Sequence, residues 1–171
     1  MRKISEYELP RNAVYIMAIL VGCLAGVANI FLDIDLTMRP ALVGWLVLSI
    51  VIVIVMHEGI HGLTAALFGH KPIFGVKPPL VFVTFGSKIP RGHFMIVAIA
   101  PLVVLDLLFG FMYYGGVLKL FSDFCFTINT LGAVGDLWIV FKLLGTERGT
   151  LIQDTKTGIE VWKDEPEPKD A

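Results

Sequence analysis

Hydrophobic and polar positions along the chain sort into four long apolar runs separated by short polar segments. Asn12 to Leu32 is 21 residues without a charge, enough to cross roughly 30 Å of hydrocarbon at about 1.5 Å per residue. A second run extends from about Ala41 to Phe68, with Pro40 suited to a first helical turn and Gly69 to a helix C-terminus. A third spans Phe94 to Leu118 and a fourth about Phe124 to Leu144. The basic start ahead of the first run resembles a signal peptide, but the run is long and no small-residue cleavage site with a soluble mature domain follows. The pattern predicts an all-α membrane protein with about four transmembrane helices.

The remaining segments carry weaker signals. Residues 1–11 read as a short polar cytoplasmic leader, residues 12–145 as the membrane domain and residues 146–171 as a cytoplasmic tail. In the connection over about 70–92, the β-formers Val81-Phe82-Val83-Thr84-Phe85 lie between Pro78-Pro79 and Gly86, which predicts a short β-hairpin-like loop dipping toward the membrane. An unpaired strand edge there can take up an extended peptide by strand addition, or the loop can simply cover the helix ends. Leu151-Ile152-Gln153 and Ile159-Glu160-Val161-Trp162 flank a turn-like Asp154-Thr155-Lys156-Thr157-Gly158, a second small hairpin to which no chemistry attaches. The final KDEPEPKDA has the composition of a disordered segment.

Composition agrees with the apolar runs. Hydrophobic residues make up 56% of the 171, charged residues 17%, and mean hydropathy is +0.76, outside the range of an ordinary soluble domain. Lys and Arg cluster in the leader, the middle connection and the start of the tail, which predicts that both termini and the middle loop are cytoplasmic, in a multi-pass membrane protein. A net charge of -1 with no basic patch interleaved with aromatics argues against nucleic acid as a partner. Cys23 and Cys125 stand alone within expected spans and read as packing residues. Oligomeric state is not legible.

One apolar helix carries chemistry. His57-Glu58-Gly59-Ile60-His61 is an H-E-x-x-H motif, and its histidines at i and i+4 share a helix face about one turn apart, so both imidazoles can hold one metal ion. Glu58 beside the first ligand can take a proton from water at that metal. With four His and seven Glu in the chain, chance places such a pentad in roughly 0.3% of shuffled sequences. Packing or interfacial histidines are a poor alternative, because ionisable groups at membrane depth are costly. Counting from Pro40, His57 lies roughly 26 Å along its helix, near the cytoplasmic end.

A catalytic zinc site usually has three protein ligands. His70 and His93 fall at helix ends and read as ordinary interfacial residues. Asp106 and Asp136 lie inside expected spans, and either carboxylate can complete the set. Asn129, Gly132 and Asp136 share one helix face, and Gly132 and Gly135 suit a close approach to the motif helix. Asp136 is therefore the expected third ligand and Asp106 the alternative.

With these residues assembled, the chain resembles the intramembrane zinc peptidases related to site-2 protease. It resembles more closely a family of bacterial and archaeal membrane proteins described as putative zincin peptidases. The resemblance rests on His57-Glu58-Gly59-Ile60-His61-Gly62, Gly69 before Lys71-Pro72, Ala100-Pro101-Leu102, and Asn129 with Gly132-Ala133-Val134-Gly135-Asp136. It implies His57, His61 and Asp136 as Zn2+ ligands, Glu58 as general base, and Asn129 as a polar group contacting substrate backbone or an oxyanion. The chain departs from site-2 proteases in its glycine-rich segment ahead of Asp136, in Leu137 after it, and in lacking a PDZ-like insertion.

The expected activity is hydrolysis of peptide bonds in membrane-spanning or membrane-adjacent segments, with a membrane protein or peptide as substrate and the lipid bilayer as surroundings. A non-catalytic metal-binding scaffold of the same fold is the alternative, and it leaves the base Glu58 without a purpose. Four His are too few for a di-iron desaturase, and four runs without a repeat give little support to a transporter.

Overall fold

A computed structural model describes residues 1–9, 12, 40–77, 80–155 and 158–164. In chain order its elements are β1 (Arg2–Glu8), α1 (Pro40–Leu67), β2 (Pro72–Lys77), β3 (Leu80–Phe85), β4 (Ile89–Pro90), α2 (Arg91–Tyr114), α3 (Lys119–Gly132), α4 (Val134–Leu144), β5 (Leu151–Asp154) and β6 (Gly158–Lys163). Residues 13–32 of the expected first run lie outside the described residues, as do Pro78-Pro79 and residues 165–171.

Among the described residues, two helices are long and apolar enough to cross a membrane: Gly44–Leu67 within α1, and α2. α3 and α4, expected as one span, are two helices bent by 40° around Ala133, and together they are apolar enough to be a third. α1 and α2 leave many Leu, Val and Ile side chains exposed, which is compatible with helices that cross a membrane.

The all-α expectation is overturned. Beside the helices stand two antiparallel sheets, one four-stranded in the order β1-β6-β5-β4 and one formed by β2 and β3. The middle loop and the tail supply two hairpins, as their β-formers predict, but the four-stranded sheet also recruits the leader and the two residues before α2. β1 pairs with β6 from Arg2↔Lys163 to Glu8↔Gly158, almost the full length of the sequence apart. The leader is mostly polar, and its strand is held by backbone pairing to a distant partner, which no local pattern announces. The sheet brings the leader, the middle connection and the tail to one end of the helices.

Two apolar clusters hold the elements together. One joins sheet to helices through Ile152, Ile159 and Val161 against Ala65, Val97 and Leu143. The other lies between helices, with Val53 of α1, Leu105 and Phe109 of α2, and Cys125 of α3. Cys125 is buried and free, in keeping with a packing role.

Gly158 sets how closely β1 can approach β6. A Cβ there would collide with the Tyr7 carbonyl and crowd Glu8 Cα. Gly158→Val is therefore expected to strip amide-exchange protection from residues 2–8 while leaving the β4–β5 ladder protected. Equal protection in both strands would show that the leader tolerates displacement.

Candidate metal centre

The centre is built where the C-terminal half of α1 meets α2, the bend between α3 and α4, and β3. His57 and His61 are buried, one turn apart on α1, with ring centroids 4.8 Å apart and planes near perpendicular. Asp136 reaches them from the first turn of α4, the positively polarised end of the helix, where a carboxylate is favoured. Its Oδ2 lies 3.1 Å from His57 Nε2 and 3.5 Å from His61 Nε2.

The outer nitrogens fix the tautomers. His61 Nδ1 is 2.7 Å from the Val97 carbonyl, which can only accept, so Nδ1 carries the proton and donates it. His57 Nδ1 is 2.9 Å from Asn129 Oδ1. The amide orientation of Asn129 is set in turn, because Nδ2 donates to the Pro101 carbonyl at 3.2 Å and to Asp106 Oδ1 at 2.8 Å. In the neutral imidazoles both Nε2 atoms then present lone pairs toward Asp136 Oδ2. Three acceptors facing one another repel unless a proton or cation lies among them. Two imidazole nitrogens and a carboxylate oxygen, all within 4.8 Å of one another, form a donor set suited to zinc, with partners behind each His that hold its orientation.

Pro101 explains why a helix carbonyl is available to His61. In an α-helix the Val97 carbonyl would accept from the N–H of residue 101, and proline has none. The carbonyl so released takes the His61 Nδ1–H.

The remaining sequence-derived candidates divide clearly. Asp106 is not at the ligands; it stands one step behind, bonded to Asn129 and 3.0 Å from Thr130 Oγ1. Asn129 is fully buried, with its amide committed to His57, Pro101 and Asp106, so it has no surface left for a substrate. Gly132 and Gly135 do not mediate close packing, since an added Cβ at either meets nothing within 4 Å. The bend at Ala133 is what sets Asn129 behind His57 and Asp136 in front of it. His70 and His93 lie apart from the centre, bonded to each other at 3.1 Å, with His93 stacked on Phe68.

Glu58 projects toward the β2–β3 hairpin, where its Oε2 accepts the Val83 N–H at 2.8 Å. Val83 pairs with Phe74 across the hairpin but sends its N–H away from β2. Strand alternation then puts the backbone groups of Val81, Val83 and Phe85 on the outer edge of β3. On the opposite strand Phe74 packs against Gly62, immediately after the motif, where a Cβ would strike its ring.

Three participants were not legible in the sequence: the Val97 carbonyl, the Val83 N–H and Asp154. The helix-interior Pro101 was the one signal for the first. A cavity of about 80 Å³ adjoins the centre, and its lining includes His61, Asp136 and Asp154 of β5. Asp154 accepts bonds from the Thr84 side chain and the Thr155 N–H, and burial pushes its carboxyl up from 3.8 to about 6.

A family model described as "Putative zincin peptidase" matches residues 50–151, well over half of the chain. The chain belongs to the putative zincin peptidase family. The matched stretch runs from the middle of α1 to the first residue of β5 and contains both histidines, Glu58, Asn129 and Asp136. The chain is also 28% identical over 170 residues, 95% of its length, to an uncharacterized 24.7 kDa protein in the gap 5′ region of Pyrococcus woesei, of which it covers 76%. No solved structure matches it. The family places the chain among the zinc metallopeptidases, and the three ligand candidates supply a site for the ion.

Proposed function

We propose that the chain is an intramembrane zinc metalloendopeptidase of the site-2 protease type, hydrolysing peptide bonds in membrane-spanning or membrane-adjacent segments. The observation that carries this reading is the convergence of His57 Nε2, His61 Nε2 and Asp136 Oδ2 beside Glu58, on helices apolar enough to span a bilayer.

When bound, zinc supplies Lewis acidity, polarising a peptide carbonyl and letting water ionise near neutral pH. Asn129 and the Val97 carbonyl hold the two imidazoles through Nδ1–H, so each neutral ring turns its Nε2 lone pair toward the ligand position. Glu58, steadied through Oε2 by the Val83 N–H, has Oε1 to take the proton of the attacking water and pass it to the leaving amine. An unwound substrate segment lies along the outer edge of β3, which offers backbone donors and acceptors beside that carboxylate. Burial of both histidines keeps bulk water away and strengthens these electrostatic contacts. In this reading the sheet end of the helices faces the cytoplasm, following the Lys and Arg of the leader, middle loop and tail.

Metal content of purified wild type, His57→Ala, Asp136→Ala and Asp106→Ala tests the centre. Wild type is expected to bind about one zinc per chain, as a three-ligand catalytic site does. His57→Ala and Asp136→Ala are expected to lose it, and Asp106→Ala to retain it with weaker affinity. Loss only in Asp106→Ala would transfer the third ligand to α2. Zinc-free wild type, purified without chelator and unable to take up added zinc, would leave a membrane scaffold in place of an enzyme.

A further inference from the structure

Beyond the metal ligands and base, the cleft contains a carboxylate with no role in the reaction. Asp154 ends β5, outside the stretch matched by the family model, and looks into the cavity beside His61 and Asp136. The cavity walls are apolar: Val83 and Phe85 from β3, Phe94 and Val97 from α2, and Ile139 from α4. The Thr84 hydroxyl and the Thr155 N–H, its donors, are both neutral. Among the described residues no Lys, Arg or His stands within ion-pair distance of it.

Charge balance gives this arrangement a meaning. A zinc ion held at the centre brings two positive charges, which Asp136 and Glu58 match. Asp154 is then the surplus negative charge of the cleft, half-buried in apolar surroundings where an unmatched ion is costly. Its raised proton affinity has the same origin. Val83 and Phe85 tie the cavity to the substrate edge, because their side chains line it while their backbone groups face outward from β3.

We propose that this cavity is a specificity subsite in which Asp154 receives the ammonium group of a substrate lysine. The apolar walls suit the methylene stem, and the carboxylate pairs with the charged end. The proposal rests on the peptidase reading for its substrate class, and so also requires that an extended peptide lies on β3.

The test uses the full chain carrying Glu58→Gln, loaded with zinc, so that peptides bind without being cleaved. Probes are fluorescent, N-acetylated extended peptides that differ only in a lysine or a norleucine walked through the sequence. At one position lysine is expected to bind about 10- to 100-fold more tightly than norleucine, the range of a charge-assisted hydrogen bond. Adding Asp154→Asn should bring that ratio near one while leaving zinc content and thermal unfolding in place. A free N-terminal amine that substitutes for the lysine would overturn the side-chain assignment. Equal binding of both peptides at every position, a lysine preference that survives Asp154→Asn, or no binding at all would overturn the subsite.

Wild-type cleavage of both the lysine and the norleucine peptides separates the two readings. Cleavage without any lysine preference removes the subsite and leaves the peptidase. A lysine preference in binding without cleavage removes the peptidase and leaves the subsite.

Discussion

Glu58→Gln is expected to keep the zinc content of the wild type and to lose about 10²- to 10⁴-fold in hydrolytic rate, the contribution of a positioned general base. The substitution preserves shape and leaves an amide oxygen to accept the Val83 N–H, so the hairpin should stay docked. What disappears is the capacity to take and return a proton. The measurement is cleavage of a membrane-segment peptide in detergent or liposomes, paired with metal analysis of the same sample. An unchanged rate would remove Glu58 from the chemistry. A lost metal would mean that the glutamate belongs to the ligand set and that the assignment of Asp136 needs revision.

Pro101→Ala is expected to lower zinc affinity by about 10- to 100-fold, the usual effect of disturbing the group behind a ligating histidine. Alanine restores an N–H at the position that faces the Val97 carbonyl, which now serves His61 at 2.7 Å. That N–H competes for the same oxygen and loosens both the tautomer and the ring. The same change should stabilise the helix, since an interior proline costs about 3 kcal/mol. Weaker metal binding by a more stable protein is a combination that general damage does not produce. Zinc titration against a competing chelator and thermal unfolding of the metal-free chain measure the two effects. Unchanged affinity would mean that the Val97 carbonyl accepts both donors at once.

Legibility of the chain followed the range of the interactions. His57, Glu58 and His61 lie within five residues of one another, and helical periodicity alone puts both histidines on one face. Asn129 and Asp136 also share a face by spacing, but the fold sets them on different sides of His57. Glycine packing does not bring Asp136 to the histidines; a 40° break at Ala133 separates the two residues into successive helices. The break lets Asn129 stand behind His57 while Asp136 stands in front of it. Asp106 looked like a competing ligand because an intramembrane carboxylate must have a partner, and it has one: Asn129.

The sheets show the other limit. The Val81–Phe85 run announced a strand through its own β-formers, whereas the polar leader became a strand only because β6 lay beside it. Asp154 gave no signal at all, since one carboxylate in a polar turn looks like any other.

By itself, then, the sequence marked the long apolar helices α1 and α2, the histidine pair with Glu58 beside it, and two carboxylates worth considering. These follow from composition and short-range periodicity, which depend only on neighbours along the chain. The tertiary structure alone decided which carboxylate meets the histidines, which groups fix their tautomers, and what closes the cleft. Those depend on contacts between His57 and Asp136, His61 and Val97, and Glu58 and Val83, groups 25 to 79 residues apart in sequence. Their meeting is set by packing, by one bend, and by strand pairing that joins the first residues of the chain to its tail.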